Sequence, residues 1–140
     1  MKNYFPNKST STLQKKMLIQ PFFVDQKLKS KKIIKGMGSN YSWSQSDIIK
    51  GIEGDLKKGI KNFLLFLVPK EKQKLPEDFS FHYEVIRNLK QQFQNDITLL
   101  IDTCLCSITP DGHCGISQKK KIDLKQTHYA LGLAANTYLE

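Results

Sequence analysis

Two short, largely apolar runs at residues 60–68 and 97–101 constrain the fold of this chain more than any other feature. Both have the length of a strand and are rich in aliphatic, β-branched or aromatic residues, and Pro69 ends the first of them. Continuous apolar strands of this kind occur in parallel sheets that are covered on both faces. The two runs therefore predict an α/β fold with a parallel sheet.

A further strand is predicted before these two, at residues 17–24, where Pro21 indicates an edge position or a bulge. Residues 1–16 show no hydrophobic period and are expected to form a flexible N-terminal arm. We therefore expect one domain over residues 17–140, which is long enough to bury a real core.

The first helix is predicted to begin near Ser44, whose side chain can accept a hydrogen bond from the backbone of Asp47, and to end at Gly59. Gly51 and Gly54 each weaken such a helix by about 1 kcal/mol relative to alanine. They indicate relaxed packing or the close approach of a neighbouring element. The expected apolar face consists of Ile48, Ile49, Ile52 and Leu56.

Two more amphipathic helices are predicted, one after each apolar run. The apolar face of the second helix consists of Phe81, Val85, Ile86, Leu89 and Phe93. Asp123 and Gln126 can cap the third helix. Its apolar side is expected to consist of Leu124, Leu131, Ala134, Ala135 and Tyr138. The order of elements predicts a βαβαβα series with right-handed parallel crossovers.

The chain has a formal net charge of +9, and Arg87 is the single arginine among its 22 basic residues. Arginine is the residue that reads phosphates and bases in a bidentate manner, so no nucleic-acid partner is predicted. The longest apolar run, residues 63–68, is far shorter than the roughly 20 residues of a membrane span. Residues 1–24 contain no acidic residue but lack the arginines of transit peptides, so a cytoplasmic location is favoured, with organelle targeting as the alternative.

All three cysteines lie in one loop, residues 102–115, directly after the strand at residues 97–101. Cys104 and Cys106 flank a single residue, and Cys114 returns to them through a turn rich in Pro, Asp and Gly. Three thiolates with one open position are the donor set of a catalytic zinc site. The alternatives are buried free cysteines or a disulfide, but the clustering favours a metal site.

The same segment carries a family resemblance. Residues 102–116 read Asp-Thr-Cys-Leu-Cys-Ser-Ile-Thr-Pro-Asp-Gly-His-Cys-Gly-Ile. They resemble the zinc-binding segment of the porphobilinogen synthases, also called delta-aminolevulinic acid dehydratases, which has Asp-Val-Cys-Leu-Cys, a short polar stretch and Gly-His-Cys-Gly. Residues 18–24, 36–38 and 59–69 are similar to the family's first strand, a glycine loop and its second strand. The resemblance covers residues 17–140.

The resemblance implies a part of a TIM (β/α)8 barrel, truncated to its first three βα units. The family condenses two molecules of 5-aminolevulinate to porphobilinogen in tetrapyrrole (heme) biosynthesis. By resemblance, Cys104, Cys106 and Cys114 bind a Zn2+ ion that polarises the substrate, and Asp102 lies beside the metal in a supporting catalytic role. A loop-ordering role is the alternative for Asp102. His113 is expected to be a neighbour of the metal site or to face the substrate.

The Schiff-base lysines of the family belong to later barrel units, and no residue of this chain matches them. We therefore expect the chain to be inactive alone and to need a complementing C-terminal half. The family forms homo-oligomers through an arginine-rich arm that has no counterpart in residues 1–16. Two alternatives stay open, a non-catalytic zinc-binding remnant with a regulatory or binding role, and a basic nucleic-acid-associated protein with an incidental cysteine loop.

Overall fold

The computed structural model describes residues 13–118 and 121–139, and the fold is α/β. The predicted N-terminal arm lies mostly outside these residues and stays a prediction. A short 3-10 helix at Lys15–Met17 precedes the sheet. The strands are β1 (Ile19–Asp25), β2 (Lys32–Ile33), β3 (Tyr41–Trp43), β4 (Asn62–Val68), β5 (Thr98–Ile101), β6 (Ser117–Gln118) and β7 (Lys121–Ile122). The helices are α1 (Ile48–Leu56), α2 (Ser80–Phe93) and α3 (Leu124–Leu139).

The main sheet has the strand order β2-β3-β1-β4-β5, and β1, β4 and β5 are parallel neighbours. Since α1 lies between β1 and β4 in the chain and α2 lies between β4 and β5, the predicted alternation of strands and helices is confirmed. The carboxyl ends of the three parallel strands lie at one edge of the sheet. The loop with the cysteines follows β5 at that edge.

Pro21 lies in β1, which pairs along its whole length with β4, from Ile19 opposite Asn62 to Asp25 opposite Val68. On its other side, β1 pairs with β3 only at Phe23 and Val24. Pro21 is thus in the half of β1 that has one neighbouring strand. A proline, which has no backbone N–H, is tolerated there because only one side of the strand is paired.

The largest apolar cluster, here called the sheet cluster, fills the space between the sheet and helices α1 and α2. Along β4 the burial alternates, and Phe63, Leu65 and Leu67 are almost fully buried while their neighbours are half-buried. The helices therefore cover one face of the sheet rather than both. The cluster consists of Phe22, Val24, Ile48, Ile52, Phe63, Leu65, Leu67, Phe81, Val85, Leu89, Phe93 and Ile97.

The two glycines of α1 have different surroundings. A Cβ atom on Gly51 would lie 2.7 Å from Phe22 Cε1 and 2.9 Å from Trp43 Cη2, whereas a Cβ on Gly54 would meet nothing within 4 Å. Gly51 thus permits close packing of α1 on the sheet. Gly54 is the more weakly constrained position.

The predicted helix boundaries agree with local hydrogen bonds. The backbone N–H of Asp47 donates to Ser44 Oγ over 3.1 Å before α1, and that of Gln126 donates to Asp123 Oδ1 over 3.0 Å at the start of α3. Gly59 has φ of 90° just after α1, a conformation that favours glycine.

Two further details of the sequence-based prediction are wrong. Leu124 and Ala135 are exposed rather than on the buried side of α3, where Thr127, Ala130 and Ala134 lie instead. The β2–β3 hairpin has no counterpart among the predicted strands. Its strands have only two and three residues, too few to show a period.

Candidate metal centre

The cysteine loop is held on the protein by apolar side chains that alternate with the thiols or follow the last of them in the sequence. Leu105, Ile108 and Ile116 are 0 to 3% exposed, although the loop has little regular structure. They pack with residues of α3 and of the segment before α2. This second cluster, here called the loop cluster, consists of Phe79, Leu105, Ile108, Ile116, Ala130 and Ala134.

Hydrogen bonds fix the path of the loop. Thr109 Oγ1 donates to the carbonyl of His113 over 2.8 Å, and the backbone N–H of His113 donates to Asp111 Oδ1 over 3.2 Å. Gly112, between Asp111 and His113, has φ of 70°, which glycine adopts without strain. The turn predicted from the Pro-Asp-Gly sequence is therefore present and brings Cys114 back towards Cys106.

The third cysteine is positioned from its other side by the start of α3. The backbone N–H of Ile116 donates to Thr127 Oγ1 over 2.9 Å, and the carbonyl of Ile116 accepts from the backbone of Asp123 over 2.8 Å. These bonds place the chain after Cys114 against the first turn of α3.

The three thiols meet at one point. The Sγ atoms of Cys104, Cys106 and Cys114 all lie within 4.8 Å of one another, and those of Cys104 and Cys106 are 3.3 Å apart. Tetrahedral Zn–S bonds of about 2.3 Å place sulfur atoms about 3.8 Å apart, so small side-chain rotations suffice to bind an ion. Cys106 and Cys114 are exposed and all three cysteines are free. The donor set fits a thiophilic metal ion.

The thiols are electrostatically unequal. Burial opposes ionisation of Cys104, but hydrogen bonds from the backbone of Cys106 and from the thiols of Cys114 and Cys106 outweigh it, so the pKa of Cys104 is lowered. The hydrogen bond between the thiols of Cys106 and Cys104, together with burial, raises the pKa of Cys106 to about 11. The pKa of Cys114 is raised mainly for the same reason. Of the three thiols, Cys104 is thus the one whose ionised form the loop favours.

Asp102 and His113 are the two other candidate site residues of this loop. The backbone N–H of Asp102 donates to the carbonyl of Leu65 over 3.0 Å, which continues the pairing of β5 with β4 up to the loop. The negative charge of Asp102 is near enough to raise the pKa values of the cysteines slightly. His113 is exposed, and within the described chain the group that can hold a metal consists of the three thiols.

Two residues of the loop between β4 and α2 also contact the cysteine loop, and no pattern in the sequence predicted these contacts. The Lys72 ammonium donates to the carbonyl of Ser107, and the backbone N–H of Gln73 donates to the carbonyl of Ile108 over 2.9 Å. Both come from a charged stretch that resembles an ordinary solvated loop. Leu105 and Ile108 alternate with more polar residues in the sequence, and this pattern could have predicted that the cysteine loop is anchored by buried side chains.

A parallel βα series with three thiols at the carboxyl end of a sheet strand defines an α/β protein with a candidate metal-binding centre. The chain belongs to the delta-aminolevulinic acid dehydratase family, whose family model matches residues 5–140. The part that the structure describes corresponds to three βα units of the TIM barrel of that family.

Individual relatives agree. The chain is 33% identical over 134 residues to the delta-aminolevulinic acid dehydratase of Methanothermus sociabilis, covering 93% of this chain and 41% of the relative. It is 32% identical over 130 residues to that of Archaeoglobus fulgidus, covering 88% of this chain and 39% of the relative. This chain thus spans about two fifths of the length of these relatives.

A solved structure shows the same fold. The delta-aminolevulinic acid dehydratase (porphobilinogen synthase) of Toxoplasma gondii ME49, in complex with the reaction product porphobilinogen, matches with a TM-score of 0.84 and 26% identity. The match covers 91% of this chain and 38% of that chain. None of the helices in the described part of the chain is long and apolar enough to cross a membrane.

Proposed function

We propose that this chain supplies the zinc-binding part of a porphobilinogen synthase, which condenses two molecules of 5-aminolevulinate to porphobilinogen. The observation that carries the proposal is the cluster of three thiols at the carboxyl end of β5, within the fold of this family. Chemistry in barrels of this kind is placed at the carboxyl ends of the strands.

Zinc is the metal that the donor set favours. Three thiolates select a soft or borderline cation, and a site with three protein ligands leaves a fourth position for substrate. When bound, Zn2+ supplies a Lewis acid that stabilises charge on a substrate oxygen. Cys104, Cys106 and Cys114 hold the ion, and Asp102 adds a carboxylate beside it. Such thiolates need a reducing compartment, so a cytoplasmic location is part of the proposal.

The lysines in the described part of the chain are unsuited to Schiff-base chemistry. A Schiff-base lysine needs a lowered pKa, which a desolvated pocket provides. Every lysine that the structure describes is exposed. We therefore propose that the Schiff-base lysines come from polypeptide beyond these 140 residues, either in the same chain or in a complementing one.

The far edge of the sheet is where the complementing part would dock. In the described chain β5 pairs with β4 on one side, and its other side borders a trough with an apolar floor and a basic rim. Its lining includes Tyr83, Ile86, Leu99, Ile101 and Tyr138 together with Arg87 and Lys90. On the face of β4 that no helix covers, the side chains are half-buried. A further parallel strand with its helix fits both features, since it would pair with β5 and bury the trough.

The first experiment measures zinc per chain in the purified protein, in a Cys106→Ser variant and in a Thr103→Ala control, which changes an exposed residue of the same loop. We expect one zinc per chain in the protein and the control, and none held tightly by Cys106→Ser. A folded protein without zinc would contradict the proposal.

The second experiment tests catalysis. The chain is co-expressed with the complementary C-terminal part of the Methanothermus sociabilis relative, and porphobilinogen formation from 5-aminolevulinate is measured. We expect activity that requires both parts and is lost in Cys106→Ser. Stable zinc binding and a formed complex without porphobilinogen would instead favour the alternative function, a non-catalytic zinc-binding protein.

A further inference from the structure

The cysteine loop is hydrogen-bonded to the loop that follows β4 through Lys72 and Gln73, a pair here called the clamp. The Lys72 ammonium donates to the carbonyl of Ser107, the residue directly after Cys106, and the backbone of Gln73 donates to the carbonyl of Ile108 over 2.9 Å. Ser107 is the last residue of a short 3-10 helix, Leu105–Ser107, that carries Cys106. Carbonyl groups at the end of such a helix lack partners within it, and a lysine can satisfy them.

The clamp is itself held in place. The Gln73 side-chain oxygen accepts hydrogen bonds from the backbone N–H groups of Glu77 and Asp78, over 2.9 and 3.0 Å, and its amide nitrogen donates to the carbonyl of Asp78 over 2.8 Å. These three bonds close the loop on itself just after Lys72. The Lys72 backbone is therefore presented from a fixed turn rather than from a free segment.

Charge gives the clamp a second effect. A divalent ion with three thiolates carries a net charge of −1, and the Asp102 carboxylate lies at the same loop. The Lys72 ammonium contacts the carbonyl of Ser107, the residue next to the proposed ligand Cys106. Its positive charge is opposite to the negative charge of a loaded site. Between exposed groups such an attraction is real but weakened by salt.

We propose that Lys72 is a positioning residue for the three-thiol metal centre. Its hydrogen bond to Ser107 fixes the turn that presents the Cys106 thiolate, and its charge offsets the negative charge of the loaded site. The proposal rests on the metal-binding function proposed above. It goes beyond that function because it assigns a role in metal affinity to a residue that is not a ligand.

The test compares the affinity for Co2+, by chelator competition and by the thiolate-to-cobalt absorption band, in four proteins. These are the unchanged chain, Lys72→Met, Lys72→Arg and Lys90→Met. Lys90 is the matched control, since its ammonium donates to the carbonyl of Gln94 over 3.3 Å just after α2, away from the cysteine loop. The urea midpoint of each metal-free protein is measured as well.

We expect Lys72→Met to bind Co2+ about tenfold more weakly, at the lower end of what loss of an outer contact costs a metal site. Lys72→Arg should restore most of the affinity, and Lys90→Met should bind like the unchanged chain. The deficit of Lys72→Met should shrink at 1 M salt, where the screening length falls to about 3 Å. The urea midpoints should agree, since Lys72 is exposed.

Each contrary result has a distinct meaning. If the unchanged chain binds no cobalt or zinc, the proposed metal site fails and the role of Lys72 fails with it. If the chain binds metal but Lys72→Met binds equally well, or Lys90→Met loses as much, only the role of Lys72 is overturned. A lowered urea midpoint together with weaker binding that Lys72→Arg does not restore would make Lys72 a general structural residue and overturn it too.

Discussion

The sheet cluster and the loop cluster bury apolar side chains in different ways. The sheet cluster is built from regular strands and helices, and its members are mostly large aliphatic or aromatic residues. The loop cluster is smaller, takes three of its six members from an irregular segment and includes two alanines. We therefore expect the main core to stay folded without a bound metal ion. The metal centre stands on the smaller cluster, where a bound ion can add the most order.

His82 lies at the junction of the two clusters. Its ring stacks on Tyr138 of α3 at 5.6 Å and meets Phe79 of the loop cluster and Phe81 of the sheet cluster edge to face. The side chain is 2% exposed, and its Nδ1 atom lacks a hydrogen-bond partner in the described chain. This ring joins α2 to α3 and thus the core to the site.

The largest expected effect comes from the centre of the sheet cluster. Phe63→Ala should lower the free energy of unfolding by about 4 kcal/mol, because it leaves a cavity where a fully buried ring was. Urea unfolding followed by circular dichroism measures this loss. We expect metal binding to disappear together with the fold. A variant that stays folded and binds metal normally would show that the two clusters are less dependent on each other than their packing indicates.

The next largest effect is the pH dependence of stability that His82, at the junction of the two clusters, should produce. Burial lowers the pKa of His82 to about 4 from 6.5, so the unfolded chain binds a proton that the folded chain refuses between these values. Stability from this group is complete above pH 6.5 and falls by roughly 3 kcal/mol as the pH drops to 4. Urea midpoints from pH 4 to 7.5 should show this slope. His82→Phe, which keeps the ring but not the titration, should remove it. Equal slopes in both proteins would contradict a neutral His82.

The two glycines of α1 sharpen the description of the sheet cluster. Gly51→Ala should destabilise the protein by about 2 kcal/mol, because the new methyl group overlaps Phe22 and Trp43. Gly54→Ala should stabilise it by about 1 kcal/mol, since nothing lies within 4 Å and alanine favours the helix. Thermal unfolding of both variants measures the contrast. Shifts of the same sign would mean that α1 does not pack as closely on the sheet as described.

The smallest effect separates the clusters by function. Ile108→Val in the loop cluster and Ile48→Val in the sheet cluster should each cost about 1 kcal/mol in unfolding free energy, since each removes one methylene from a buried site. Only Ile108→Val should also weaken metal binding, because it loosens the segment between Cys106 and Cys114. Chelator competition on the two variants checks this. Equal metal affinities would mean that the thiols are held by the hydrogen bonds of the loop and not by the packing of Ile108.

The success of the sequence-based prediction follows the same division. The strands β4 and β5, the helices α1 and α2 and their buried faces could be predicted because regular elements repeat a period that the sequence displays. The three thiols were predicted as a group because they are close in the sequence, and the structure brings their sulfur atoms together. Their zinc and the role of Asp102 stay proposals.

Other features depend on contacts between distant segments and have no local signal. The hydrogen bond between Lys72 and Ser107 joins residues 35 positions apart, and nothing in a lysine-rich loop distinguishes it beforehand. The opposite surroundings of Gly51 and Gly54 depend on where Trp43 lies, which is set by the unpredicted β2–β3 hairpin. Leu124 and Ala135 fit a helical period but lie outside the face that α3 buries.

The short span of the thiol loop also affects the order of events during folding. Cys104 and Cys114 are joined by a loop of about ten residues, which closes within roughly 10 to 100 ns. The pairing of β1 with β4 joins Ile19 to Asn62, a separation that carries a larger entropic cost and forms later. The sulfur ligands can therefore meet before the sheet is assembled, so a metal ion present during synthesis can bind them while the rest of the chain is still unfolded.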